Sequence, residues 1–200
     1  VNRPHSDFRG FAGTVAAGSI APGESVQVLP SGQEAVVEEV ILFDQSLSKA
    51  LPKQSVTLTL DREVDVSRGD VLVAAAAPCE VSDQFDTSLV WMDQDAGYVG
   101  RGYDLMLGAK RINATLTEIK YKVNVNTLEQ MPSRNLSLND IGRVTLSLDE
   151  PIPFAPYLEC RDLGSFILVD RYSKATVGAG MINFGLRRAQ NLYPTETTID

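Results

Sequence analysis

The 200-residue chain is poor in the groups from which most active sites are built: it has one histidine, His5, two cysteines, Cys79 and Cys160, and one tryptophan. A lone histidine excludes a two-histidine zinc site and leaves a Ser-His-Asp triad without a protected base. His5, in a polar leader, reads as a surface histidine. Two cysteines 81 positions apart make neither a disulfide framework nor a paired-cysteine metal site, and they read as buried, reduced and structural. No Gly-Lys pair occurs anywhere, so the phosphate loop of a GTPase or kinase is missing from this stretch. Cations are the minority, 18 against 26 carboxylates, for a net charge of −8. Such a surface repels a phosphate backbone, so nucleic acid is not the expected main partner. No window approaches the roughly 20 apolar residues that cross a bilayer. Arg3, His5, Asp7 and Arg9 interrupt the apolar core a secretory leader needs. A soluble, cytoplasmic protein without membrane contact is the expectation.

What is present is a period of two. Val56, Leu58 and Leu60 alternate with Ser55, Thr57 and Thr59; Ile119, Tyr121, Val123 and Val125 alternate with Lys120, Lys122, Asn124 and Asn126; Val144, Leu146 and Leu148 repeat the pattern. This is the signature of strands with one buried face. The apolar run Phe166 to Val169 reads as a more deeply buried strand. Turn chemistry punctuates the runs at Ala21-Pro22-Gly23, Pro30-Ser31-Gly32, Arg68-Gly69-Asp70, Asn139 to Gly142 and Pro151 to Pro156. Many short strands and few helices predict an all-β fold of barrels or sandwiches. The small-residue stretch Ala74 to Asp83 reads as a seam, which divides the chain into a barrel over 1–78, a second over 79–185 and a polar tail or linker over 186–200. Asp61, Glu63, Asp65 and Asp70 read as a solvated turn rather than an acid/base pair. Gly178-Ala179-Gly180 lacks the third glycine of a dinucleotide fingerprint and reads instead as close backbone approach within a barrel.

Two long stretches carry a resemblance. In Val1 to Gly32, Arg9, Gly10, Gly13 and Val15 form an R-G-x-x-G-x-V strand, Pro22-Gly23 a turn, and Val26 and Val28 the following strand. This resembles the opening of the second domain of translation-factor-like GTPases, and the leader Asn2-Arg3-Pro4 with Asp7-Phe8-Arg9-Gly10 looks like the form found in the large, GTP-binding subunit of sulfate adenylyltransferase. Gly164 to Ile182 resembles the last strands of that subunit's third domain, and Met106 to Glu129 and Asn139 to Tyr157 continue the likeness. One position departs: the family has glycine in an A-x-x-G turn where this chain has Ala50-Leu51-Pro52-Lys53. The turn is therefore expected to take another conformation.

The resemblance implies two consecutive translation-factor-type β-barrels, like domains 2 and 3 of elongation factor Tu. It implies a parent GTPase subunit whose nucleotide domain, with GTP and Mg, lies outside this chain, and a small partner subunit that makes adenosine phosphosulfate from ATP and sulfate. Some relatives carry a fused adenylylsulfate kinase, and the Leu186-Arg187-Arg188-Ala189 tail looks like the start of its linker. On this reading the barrels hold no catalytic, cofactor or metal residue. They offer interface residues, for which the candidates are Asp7, Phe8 and Arg9 in the leader, Arg62, Asp65, Arg68 and Asp70 at a turn, and Arg101, Asp170, Arg171 and Thr176 in the second barrel. The competing reading is a translation-factor-like RNA-binding module, disfavoured by the acidic balance.

Overall fold

A computed structural model describes residues 9–77 and 79–186. The first sheet contains β1 (Phe11–Thr14), β2 (Ser25–Leu29), β3 (Gln33–Leu42), β4 (Gln45–Ser46), β5 (Ser55–Leu60) and β6 (Val71–Ala74), in the order β1-β5-β3-β2-β6 with β4 on β3. Every pairing is antiparallel, as short turns between consecutive strands require. Val26, Val28, Val37, Val40 and Val56 point into one core, with Leu58, Leu60 and Leu72 packed at its margin.

The second sheet begins at β7 (Glu80–Trp91). It continues through β8 (Gly97–Tyr98), β9 (Gly102–Leu107), β10 (Lys110–Val123), β11 (Gln130–Met131), β12 (Asn135–Leu136), β13 (Ile141–Phe154), β14 (Ser165–Val169) and β15 (Thr176–Gly185), with a four-residue helix α1 (Arg161–Gly164) before β14. The path β10-β13-β7-β15-β14-β9 closes because β9 also pairs with β10. Closure leaves those six strands without a free edge. Inside, Phe85 meets Phe154 edge-on at 4.9 Å and Trp91 meets Tyr103 at 5.6 Å. Leu89, Leu116, Val144, Leu146 and Leu168 fill the rest. The two apolar cores share no residue. α1 is the one helix among the described residues, so the molecule is all-β, built of two consecutive β-barrels.

Several local expectations change. Strand β7 starts at Glu80, so the seam shrinks to the residues between Ala74 and Glu80; Pro78 itself lies outside the described residues. Pro151 to Phe154 belongs to β13 rather than to a turn. Past Leu148 this strand has left β10 and pairs only with β7, where Pro153 faces Val81 after a register shift, the kind of one-neighbour strand in which proline is tolerated. Phe166 to Val169 alternates instead of being buried throughout: Phe166 and Leu168 face the core while Ile167 is half-exposed. Val125 lies beyond the end of β10 and is exposed. The cysteines are free but only half-buried, contrary to the expectation of full burial.

The turn without glycine is also corrected. Gln54 N donates to Leu51 O at 3.2 Å and Lys53 has φ = 71°, the left-handed conformation glycine favours. A β-turn with Pro52 at its second position keeps its shape and imposes the strain on the lysine. The Lys53 ammonium reaches Asp162 of α1 at 2.5 Å, a bond between the two barrels. The barrels also meet where Gly69 (φ = 94°) lies so near β10 that an added Cβ would come within 2.9 Å of the Lys110 Cα.

Candidate interaction surfaces

Of the sequence candidates, Asp7 and Phe8 lie outside the described residues. Arg9 enters β1 and turns toward the segment after β5. Its guanidinium donates to Val64 O at 3.1 Å, approaches Glu63 at 3.3 Å and Asp65 at 3.9 Å, and lies 5.5 Å from the Phe11 ring centroid. Asp65 also has its amide held by Gln33 Oε1 at 3.1 Å. Arg62 pairs instead with its neighbour Asp61, whose carboxyl that guanidinium holds below the usual carboxylate range, aided by the Val36 amide. Asp70 caps its own turn, accepting from Ser67 N at 2.8 Å, and Arg68 is exposed at the tip. The turn candidates therefore divide among three small groups.

The second-barrel candidates converge. Asp170 follows β14, more than nine-tenths buried, and its Oδ1 accepts from Tyr172 N at 2.9 Å, Ser173 N at 2.8 Å and Ser173 Oγ at 3.1 Å. Those backbone donors, with Arg101 at 2.8 Å on the other oxygen, pull its pKa down to about 2. Arg171 lies across Gly102 and donates to Tyr103 O at 3.4 Å. Thr176 opens β15 beside Val169, exposed and outside the polar cluster.

Three residues of this cluster were missed. Asp104 is ion-paired with Arg111 at 2.5 Å and lies 3.9 Å from both Arg171 and Lys174. The Arg111 guanidinium lowers the Asp104 pKa most. A signal existed: the Gly108-Ala109 turn makes β9 and β10 a hairpin in which Asn113 faces Asp104, which puts Arg111 on the diagonal. Four cations, Arg101, Arg111, Arg171 and Lys174, thus surround two largely buried carboxylates. Tyr172 projects from the same turn, 93% exposed, whereas Tyr103 beneath Arg101 is fully buried and its hydroxyl is pushed up to about 12, chiefly by burial.

A second missed network occupies the outer face of β7. Asp86, 2% exposed, accepts from Lys120 Nζ at 2.8 Å, Arg143 Nε and Asn183 Nδ2 at 3.1 Å. It ties β7 to β10, β13 and β15. No group of three or more histidine, cysteine or carboxylate side chains among the described residues is placed to hold a metal ion. No described helix is long and apolar enough to cross a membrane.

Comparison with known proteins gives this architecture its relatives. The chain is 48% identical over 200 residues to the bifunctional enzyme CysN/CysC of Xylella fastidiosa, covering all of this chain and 32% of that protein. It is 46% identical over 193 residues to the bifunctional enzyme NodQ of Rhizobium sp., covering 96% of this chain and 30% of the relative. It is also 46% identical over 186 residues to sulfate adenylyltransferase subunit 1 of Aeromonas salmonicida, covering 93% and 40%. The chain thus spans 30–40% of the length of these curated relatives. Among solved structures, Sup35 complexed with GDP superposes with a TM-score of 0.80 at 20% identity, covering 88% of this chain and 44% of that one, which shows the shared fold. The model of GTP-eEF1A C-terminal domain-like proteins matches residues 84–183. With half its length matched by that model and 93% of it by a sulfate adenylyltransferase subunit 1, the chain belongs to the GTP-eEF1A C-terminal domain-like family.

Proposed function

We propose that this chain is the barrel pair of the GTP-binding subunit of sulfate adenylyltransferase, and that it couples GTP hydrolysis to adenosine phosphosulfate synthesis without supplying a catalytic group. The observation that carries this is 46–48% identity, over nearly the whole chain, to sulfate adenylyltransferase subunit 1 and to the bifunctional CysN/CysC enzyme. GTP and Mg belong on this reading to the parent subunit's nucleotide domain, and ATP to the small subunit. A kinase domain follows the barrels if the parent is of the bifunctional kind.

Sulfate adenylylation is uphill, so driving it with GTP needs an element whose contacts differ between nucleotide states. Closed barrels suit this, because a packed β core moves as a lever rather than deforming. Two surfaces fit the contacts: the Arg9 group on the first barrel, and the Arg101–Asp170–Arg171 group on the second. In each the guanidinium is oriented by a carboxylate.

The test is assembly in trans. Adding a separately expressed nucleotide domain and small subunit to this chain is expected to give a complex in size-exclusion chromatography, weakened by about 1–3 kcal/mol in Phe8→Ala if that ring anchors the interface. Three components that elute separately at micromolar concentration contradict the proposal.

A further inference from the structure

The two cysteines lie at one place in the fold. Cys79 is the last residue of the connection between the barrels, and its thiol donates to Phe154 O at 2.7 Å. Glu80, the next residue, faces Phe154 in the β7–β13 ladder. From there β13 leads into a tight turn in which Cys160 N donates to Pro156 O at 3.0 Å. The two cysteines are thus anchored to carbonyls two residues apart, no more than about 7 Å along the chain. Cys160 occupies the position before α1 with extended backbone (φ = −144°) and makes no side-chain cap hydrogen bond, which leaves its sulfur uncommitted. Both residues are half-buried and free. Burial raises the Cys79 thiol pKa, and the charge of Cys160 adds to the rise.

We infer that Cys79 and Cys160 form a redox-sensitive dithiol at the barrel junction, which a hydroperoxide closes to an intramolecular disulfide. Cys79 has its proton engaged by Phe154 O, so Cys160 meets the oxidant first. The Cys160 thiolate attacks one peroxide oxygen, the O–O bond breaks, and the departing hydroxide takes up a proton, leaving a sulfenic acid and one water. The Cys79 sulfur then displaces hydroxide from the Cys160 sulfur, giving up its proton to form the second water as the S–S bond closes. Two thiols lose two electrons and two protons, and hydrogen peroxide is reduced to two waters. The consequence is mechanical. Two residues beyond Cys160, Asp162 holds Lys53 of the first barrel, so the disulfide fastens the inter-barrel connection to the same short segment that already clasps the neighbouring barrel.

The test is to treat the native chain with equimolar hydrogen peroxide, alkylate the remaining thiols and map tryptic peptides without reductant. The expected product is one linked pair of peptides containing Cys79 and Cys160, two hydrogens lighter than the separate peptides and parted by dithiothreitol. Cys79→Ser is expected to leave a sulfenic acid at Cys160 that dimedone traps. Cys160→Ser is expected to leave Cys79 largely unoxidised. A covalent dimer of chains as the main product overturns the inference, as does sulfinic acid at Cys160 beside an untouched Cys79, or full alkylation of both thiols. A link that forms only in urea overturns it too, because the native fold would then not be what brings the sulfurs together.

Discussion

Arg101, just before β9, places a guanidinium nitrogen 2.8 Å from the Asp170 carboxylate that organises the turn between β14 and β15. The pair fixes the one turn from which Arg171, Tyr172 and Lys174 project. Asp170 titrates near 2 when folded and near the ordinary 3.8 when unfolded. A depressed carboxylate adds stability that is fully present above the unfolded pKa and is lost as pH falls through the folded one. Thermal unfolding is therefore expected to show wild type above Asp170→Asn at pH 5, with the gap closing between pH 4 and pH 2. A gap that persists unchanged at pH 2 contradicts the assignment.

Gly180 on β15 is a packing glycine. A Cβ there would come within 2.2 Å of Phe166 Cζ, an aromatic ring buried in the second core. Gly180→Ala is expected to lose about 1–3 kcal/mol in urea unfolding, the usual cost of overpacking. A variant as stable as wild type would show that the Phe166 ring can move aside.

Lys53 carries backbone strain and an ion pair together. Left-handed φ costs a side-chain-bearing residue about 1–2 kcal/mol, against which glycine loses some unfolded-state entropy. Lys53→Gly is therefore expected to be more stable than Lys53→Ala by about 1 kcal/mol, both variants lacking the bond to Asp162. Equal denaturation midpoints would show that the turn relaxes out of the left-handed region.

Much of the fold was legible because strand alternation is a local pattern with a long-range cause. Val144, Leu146 and Leu148 are buried as their spacing requires, and Gly178 and Gly180 give the close approach that their small size allows. What stayed hidden depends on partners distant in sequence. Nothing near Pro153 announces that its outer neighbour has departed, so a strand read as a turn. Ile119 and Tyr121 flank a register shift that the alternation did not reveal. Of the interface candidates, Arg101, Asp170 and Arg171 lie together around one turn whose chemistry is local, while Lys120 and Arg143 reach Asp86 from strands 34 and 57 residues along the chain.

The most direct measurement is the coupling ratio of the whole enzyme: GTP hydrolysed per adenosine phosphosulfate formed, with the parent subunit bearing Arg101→Ala and Arg171→Ala and the small subunit present. If the barrels transmit rather than catalyse, GTP hydrolysis persists within about twofold while GTP-driven adenosine phosphosulfate synthesis falls roughly tenfold, equivalent to about 1.4 kcal/mol of lost coupling. Synthesis at the wild-type yield per GTP would contradict the coupling role of this surface, and so would a loss of hydrolysis in equal proportion.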